Sequence, residues 1–300
     1  MQNTGAKRKT KIGSVIIISV ASVLLLSVAV ISLGFPGWRN VFSFFGVYAD
    51  LGEKFSASFV NVGASDACCV KCGDKSLLID SGADRLSNRL TGFLYRYELN
   101  AFDAAVVTYP DSEHIGAMAD IIEQFGIDKI YLPKLPEKLL QGSEDYERLV
   151  NSAKENNVTL VYPKFGETVE IGDMKLSFIF PEKAYEKPLD NSLAVRLDFG
   201  SHRLLFTDNI SEEAEKDLLS CGAELDCDVL KTVNYGSEST PSEALLEAVS
   251  PDISVVSVYM PDYSTMARIN SHSSELYRTD RDNTVTITSD GENLKVHTDS

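Results

Sequence analysis

The sequence predicts an α/β protein: a four-layer αβ/βα sandwich carried behind one N-terminal transmembrane helix. Two observations predict it. A charge-free apolar run occupies residues 15–35, just after a basic cluster. Beyond it, short strand-like segments fall into two groups, each trailed by helix-like segments. Two such groups bury their apolar faces as two facing sheets with helices outside.

Lys7, Arg8, Lys9 and Lys11 mark a tail, residues 1–14, that the positive-inside tendency keeps in the cytoplasm. The run from Val15 to Phe35 holds 21 residues without a charge. That is long enough to cross a hydrocarbon core of about 30 Å as a helix. The apolar core of a signal peptide is shorter, about 7–15 residues. Val47-Tyr48-Ala49 has the small-residue pattern of a cleavage site but sits far from the apolar run. An uncleaved anchor is the reading adopted, and a cleaved signal is the alternative. Residues 36–54 form a juxtamembrane linker, with Trp38, Phe42, Phe44, Phe45 and Tyr48 suited to the membrane–water interface. Residues 55–300 are then a single domain on the outer face of a bacterial-type cell membrane.

The net charge is −16. Residues 1–50 contribute +4, from Lys7, Arg8, Lys9, Lys11 and Arg39 against Asp50, so the remainder carries −20. So acidic a domain gains nothing from the counterion release that drives binding to nucleic acid. Direct nucleic-acid binding is therefore not expected. The expected partners are the membrane, through the single-pass anchor, and an unidentified protein or small-molecule ligand.

Strands are expected at Phe55–Val62, Ala67–Lys71 and Ser76–Ile79, the last two joined by a turn at Cys72-Gly73-Asp74-Lys75. Arg85–Tyr97 reads as a helix with Leu86, Leu90, Phe93, Leu94 and Tyr97 on one face. Asp103–Val107 and Lys129–Leu132 read as strands, and Met118–Phe125 and Asp145–Asn156 as helices. The second group has strands at Val158–Tyr162, Thr168–Ile171, Lys175–Phe180, Ser192–Phe199 and Arg203–Phe206. A helix at 211–220 follows, with Ser211 as N-cap and Glu212, Glu213 and Glu215 in its first turn. Val229–Val233 and Ile253–Val258 read as strands around a helix at Ser242–Val249. Glu275–Tyr277, Val285–Ser289 and Asn293–His297 end the chain as strands.

The five cysteines, Cys68, Cys69, Cys72, Cys221 and Cys227, include one C-x-x-C pair with no second pair to complete a zinc site. They read as small buried hydrophobes. A Cys221–Cys227 disulfide is the alternative outside the cell.

The loop Thr108-Tyr109-Pro110-Asp111-Ser112-Glu113-His114-Ile115-Gly116 lies between an apolar strand and a helix. Asp, Glu and His within four residues at such a junction have the chemistry of a metal loop. Five segments, in order, carry a family resemblance. Phe59-Val60-Asn61-Val62-Gly63-Ala64-Ser65-Asp66-Ala67 resembles F-L-D-V-G-Q-G-D-A, and the loop itself resembles T-H-P-D-A-D-H-I-G. Asn191 to Leu197 resembles N-S-L-V-L-R-L, and Leu205 to Ile210 resembles L-L-T-G-D-I. Leu230 to Ser237 resembles L-K-V-x-H-H-G-S. The spacing from Tyr259-Met260-Pro261 to Tyr277-Arg278-Thr279 is that of G-H-P to Y-R-T. The chain thus resembles the metallo-β-lactamase superfamily, specifically the soluble domain of ComEC-type competence (DNA-uptake) proteins, from about Phe55 to His297.

The resemblance implies one or two divalent metals, zinc or manganese, that activate water for hydrolysis. Carried over position by position, it also implies a damaged site. Tyr109 stands for the first ligand His, while Asp111 and His114 keep their places. Glu113 replaces an Asp, Asn209 replaces the metal-bridging Asp, and Asn61 replaces an Asp on the first strand. Asn234 and Tyr235 replace the His pair, and Met260 replaces the last His. Of four histidines only His114 falls at a ligand position; His202, His272 and His297 read as exposed and without a role. A phenol and neutral amides are poor substitutes for imidazoles.

No cofactor is therefore expected or, failing that, one Zn or Mn, with Asp111, His114 and Asp208 as the candidate ligands if a shifted loop presents Asp208. Two other readings stay open: a helix-capping remnant of Asp111, Glu113 and His114, and a metal-free pocket kept for a ligand. The expected function is a membrane-anchored, non-catalytic binding or scaffold domain. The alternative is a metal-dependent phosphodiesterase or nuclease related to DNA uptake.

Overall fold

The computed structural model describes residues 54–208, 210–232, 239–257, 262–273 and 275–299. The expected basic tail and membrane span, and all but the last residue of the expected linker, lie outside that set. No helix among the described residues is long and apolar enough to cross a membrane.

Two mixed sheets form the centre. The first contains β1 (Phe55–Phe59), β2 (Cys68–Cys72), β3 (Lys75–Ile79), β4 (Ala104–Val106), β5 (Lys129–Tyr131), β6 (Thr159–Val161), β14 (Val285–Ser289) and β15 (Leu294–Thr298). Its order is β15-β14-β1-β2-β3-β4-β5-β6. The second contains β7 (Thr168–Ile171), β8 (Met174–Phe180), β9 (Ala194–Phe199), β10 (His202–Phe206), β11 (Val229–Thr232), β12 (Ile253–Val256) and β13 (Glu275–Arg278). Its order is β13-β12-β11-β10-β9-β8-β7. The closing strands depart from the expected grouping. β14 and β15 return to the first sheet, where Val285 and Ile287 of β14 pair antiparallel with Phe59 and Ala57 of β1 and enter the core. β1 ends at Phe59 rather than Val62, because the Val60 amide bonds the Ala67 carbonyl and Val62 turns back on Val60.

The sheets face each other across an apolar core in which Phe55 stacks on Phe199 at 4.8 Å, Phe59 meets Phe206 at 6.0 Å, and Tyr131 meets Phe178 at 5.2 Å. On the outer face of the first sheet lie α1 (Ser87–Arg96), α2 (Ser112–Ile115), α3 (Met118–Phe125) and α5 (Glu144–Glu155), and the short α4 (Glu137–Leu140), with no buried residue, precedes α5. Leu90, Leu94, Met118, Ile121 and Leu149 cover Leu78, Ala105 and Ile130 there. The second sheet carries α6 (Glu212–Ser220), α7 (Glu243–Val249) and α8 (Tyr263–His272), and a final turn, α9 (Thr279–Asp282), follows β13. Leu218, Leu245, Leu246 and Ile269 cover Leu205, Leu230 and Val256. The four layers match the expected architecture. Helix α8 escapes pattern reading because only Thr265 and Ile269 of its ten residues are buried.

Strands β3 to β6 run parallel, as do β10 to β13. Their carboxyl ends carry the loops where α/β folds place binding sites. Gly116, the C-cap of α2, fixes one of those loops. A Cβ there would stand 2.4 Å from the Asp84 backbone nitrogen and 2.6 Å from the Ser112 carbonyl oxygen. Gly116→Ala is therefore expected to cost about 2 kcal/mol through backbone overpacking, read as a lower urea midpoint with an unchanged denaturant slope.

Candidate functional site: a buried charge cluster between the sheets

The site residues come from strands and from the segments that adjoin them. Asp66 precedes β2, Asp80 follows β3, and His114 follows β4 on α2. Asp208 follows β10, and Lys231 lies within β11. All five are buried, with His114 fully so.

His114 is held at both ring nitrogens. Its Nδ1 lies 2.5 Å from Asp111 Oδ1 and its Nε2 lies 3.1 Å from Asp208 Oδ1. Asp66 Oδ2 stands 3.9 Å from the same Nε2, and its Oδ1 forms an ion pair with Lys231 Nζ at 2.6 Å. Asp111 is also the N-cap of α2, accepting from the backbone amides of Glu113 and His114. The His114 carbonyl accepts from the Ser81 amide at 2.7 Å and from the Ser81 hydroxyl at 3.0 Å. Asp80 accepts from the Thr108 amide at 2.8 Å and from its hydroxyl at 2.6 Å.

Burial alone would lower the His114 pKa. The Asp208 charge and the bonds to Asp111 and Asp208 overcome it and raise the imidazole well above 6.5. Burial would raise Asp208, yet the charge and hydrogen bond of His114 hold it below the ordinary carboxylate value. Burial, with the Asp208 charge adding to it, lifts Asp80 to about 8 in spite of His114 and Thr108. Tyr109 is raised above 10 by burial and by the charges of Asp111 and Asp208, so it stays a neutral phenol.

Of the positions singled out in the sequence, Asp111 and Asp208 bond the two ring nitrogens of His114, and Tyr109 lies within reach of the charges of all three. The backbone carbonyl of Glu113 accepts from the Asp66 amide at 3.3 Å. Asn209, Asn234, Tyr235 and Met260 lie outside the described residues. Asn61 caps a turn with its own side chain and contacts Arg89 and Asn283. His202 differs from expectation. It is buried at the start of β10, where strand pairing covers it, with Asp228 3.7 Å away. His272 is half-buried and bonded to Glu243 at 2.8 Å, while His297 is exposed. All five cysteines are free thiols, and all but Cys221 are buried.

Asp208 turns towards His114. Asp208 takes a φ of 49°, the left-handed region that favours glycine, at the position where the ComEC-type pattern has Gly. That backbone turns the carboxylate onto His114. Sequence reading passed over Asp66, Asp80 and Lys231. A lysine inside the buried strand Val229-Leu230-Lys231-Thr232 was the available signal, because a buried ammonium requires a carboxylate partner.

One ligand atom from each of Asp66, His114 and Asp208 lies within 4.8 Å of the others, so these three side chains could hold a single cation. The donor set does not suit a two-metal centre. Among the described residues at the cluster, His114 supplies the one imidazole, and Lys231 already pairs with Asp66. The adjoining cavity, lined by Asp66, Asp80, Thr108, Asp208 and Lys231 among others, measures about 20 Å³, room for about one water.

No established family profile matches the chain. ComE operon protein 3 of Bacillus subtilis (strain 168) is 23% identical over 203 residues, covering 65% of this chain and 26% of that protein. The chain therefore spans about a quarter of that relative's length. Among solved structures, the metallo-β-lactamase-fold protein YhfI of Bacillus subtilis superposes with a TM-score of 0.51 at 14% identity, covering 74% of this chain and 96% of YhfI. Zinc-bound PqqB of Methylobacterium extorquens gives a TM-score of 0.51 at 11% identity, covering 78% of this chain and 100% of PqqB. The chain is a ComEC-like metallo-β-lactamase-fold protein. The ComEC-like framework persists here around a cluster of paired charges.

Two predictions follow from the cluster. His114, raised in the folded state, contributes stability that is complete below about 6.5 and is lost as pH rises through its folded value. Asp80, raised to about 8, likewise favours folding less as pH climbs from 3.8 towards 8. The urea midpoint is expected to fall from about pH 4 through Asp80 and more steeply above about 6.5, where His114 adds its loss, and His114→Gln should remove that steeper part. Lys231→Met takes from the buried Asp66 its 2.6 Å ion pair with the ammonium, at a cost of about 3–5 kcal/mol. Removing both partners, Asp66→Ala with Lys231→Met, should cost less than Lys231→Met alone in equilibrium unfolding.

Proposed function

We propose that this ComEC-like chain is a non-catalytic binding or scaffold module, carried by an N-terminal single-pass anchor on the outer face of the cell membrane. One observation carries the non-catalytic reading: both ring nitrogens of His114 are engaged by carboxylates, at 2.5 and 3.1 Å. A hydrolytic centre needs an imidazole nitrogen free for the metal and open space for water and substrate. Here the nitrogens are taken and the adjoining space is about 20 Å³. The charge-free run from Val15 to Phe35 after a basic cluster supports the anchor.

A second reading rests on the closeness of Asp66, His114 and Asp208. If His114 loses its proton, these three would hold one oxygen-preferring cation such as Mn²⁺. The chain would then be a single-metal phosphodiesterase or nuclease. Elemental analysis of the purified full-length chain, with hydrolysis of bis-p-nitrophenyl phosphate and DNA in added Mn²⁺ or Zn²⁺, separates the two. The module reading expects sub-stoichiometric metal and equal rates for wild type and His114→Ala. Near-stoichiometric metal, with activity lost on chelation and in His114→Ala, would establish the hydrolase instead.

A further inference from the structure

Three strands of the ComEC-like sandwich end alike. β5 runs into Leu132-Pro133-Lys134, β6 into Tyr162-Pro163-Lys164, and β8 into Phe180-Pro181-Glu182-Lys183. All three prolines and all three lysines line one groove of about 270 Å³, near the lower end of the range for small-molecule sites, about 300–1,000 Å³. Proline fixes φ in each connection, so the three lysines are presented by stiffened loops.

The lysines are not equivalent. Lys183 is tied to Asp217 at 2.7 Å and lies over the Tyr185 ring. The neighbouring Lys187 is tied to Glu213 at 3.0 Å. Lys134 and Lys164 are exposed, and among the described residues neither ammonium forms an ion pair. Even with Glu182 in the same lining, Lys134 and Lys164 leave the groove with excess positive charge on a chain of net charge −16. The groove is also aromatic. Phe178 and Phe180 are its buried lining, and Phe165 is one of the few large apolar side chains left exposed. Its inner wall includes Asn191 and Leu193, and the Leu193 amide bonds the Thr108 carbonyl at 2.9 Å. The groove thus backs onto the loop that carries the charge cluster and is separate from the small cavity inside it.

We propose that this groove binds a small organic anion made of a phosphate group and an aromatic ring. The phosphate sits between Lys134 and Lys164, since lysine acts as a point charge for phosphate. The ring packs on Phe165. This rests on the reading of the chain as a binding module and names the site and ligand class of that module. Binding changes no covalent bond.

The test is calorimetric titration of the purified full-length chain with phenyl phosphate, inorganic phosphate and phenol. Phenyl phosphate is expected to bind more tightly than phosphate or phenol. Lys134→Glu with Lys164→Glu should weaken it by about tenfold or more. Phe165→Ala should reduce phenyl phosphate to the affinity of inorganic phosphate. All three positions are exposed, and circular dichroism of each variant verifies the fold. No phenyl phosphate binding by wild type, or equal binding by the double variant, overturns the proposal. Metal content measured on the same sample keeps the two readings apart. Stoichiometric metal with lysine-dependent binding sinks the non-catalytic reading and leaves the groove standing. Absent metal with absent binding does the reverse.

Discussion

The contact of His114 with Asp208 is the constraint on which the site depends. His114 belongs to the first sheet's loops and Asp208 to the second's. The Asp66–Lys231 pair crosses between the same two sheets. Two ion pairs thus join the sandwich at the edge where the parallel strands end. Buried charges persist only when partnered, so each contact dictates the next. His114 takes Asp208 and Asp111, and Lys231 takes Asp66. Asp80, with Thr108 as its hydrogen-bond donor, is left to hold its proton to about pH 8.

The cluster explains how a ComEC-like framework can stand with so few metal-binding side chains. On the proposed reading, the His114 imidazolium and the Lys231 ammonium supply the positive charge at that edge. The geometry that permits it is local: a left-handed Asp208 where the family pattern has glycine, and a short helix whose N-cap, Asp111, also grips His114. Gly116, with no room for a Cβ beside Asp84, holds that helix against the loop after β3.

Much of this was legible in the sequence. Alternation and turn residues located most of the strands, and the Thr108–Gly116 loop located the site. Two kinds of feature were not legible. Long-range pairing was one: nothing local to Val285–Ser289 says that it joins β1 across most of the chain. The other was partner choice. Lys231 inside an apolar strand announced a buried charge, but only the fold assigns it Asp66. His202 misled for a related reason, since its short strand looked like a turn edge and its burial comes from the neighbouring strands. Helix α8 has too few apolar residues to show a periodic face.

The central claim is that His114 is an imidazolium bonded on both sides and not a metal ligand. Nitrogen-15 spectra of the histidine-labelled chain measure it most directly. The account predicts that both His114 ring nitrogens are protonated at neutral pH and that their shifts are unchanged by a chelator. A His114 ring with one unprotonated nitrogen, whose signal moves when a chelator is added, would contradict it.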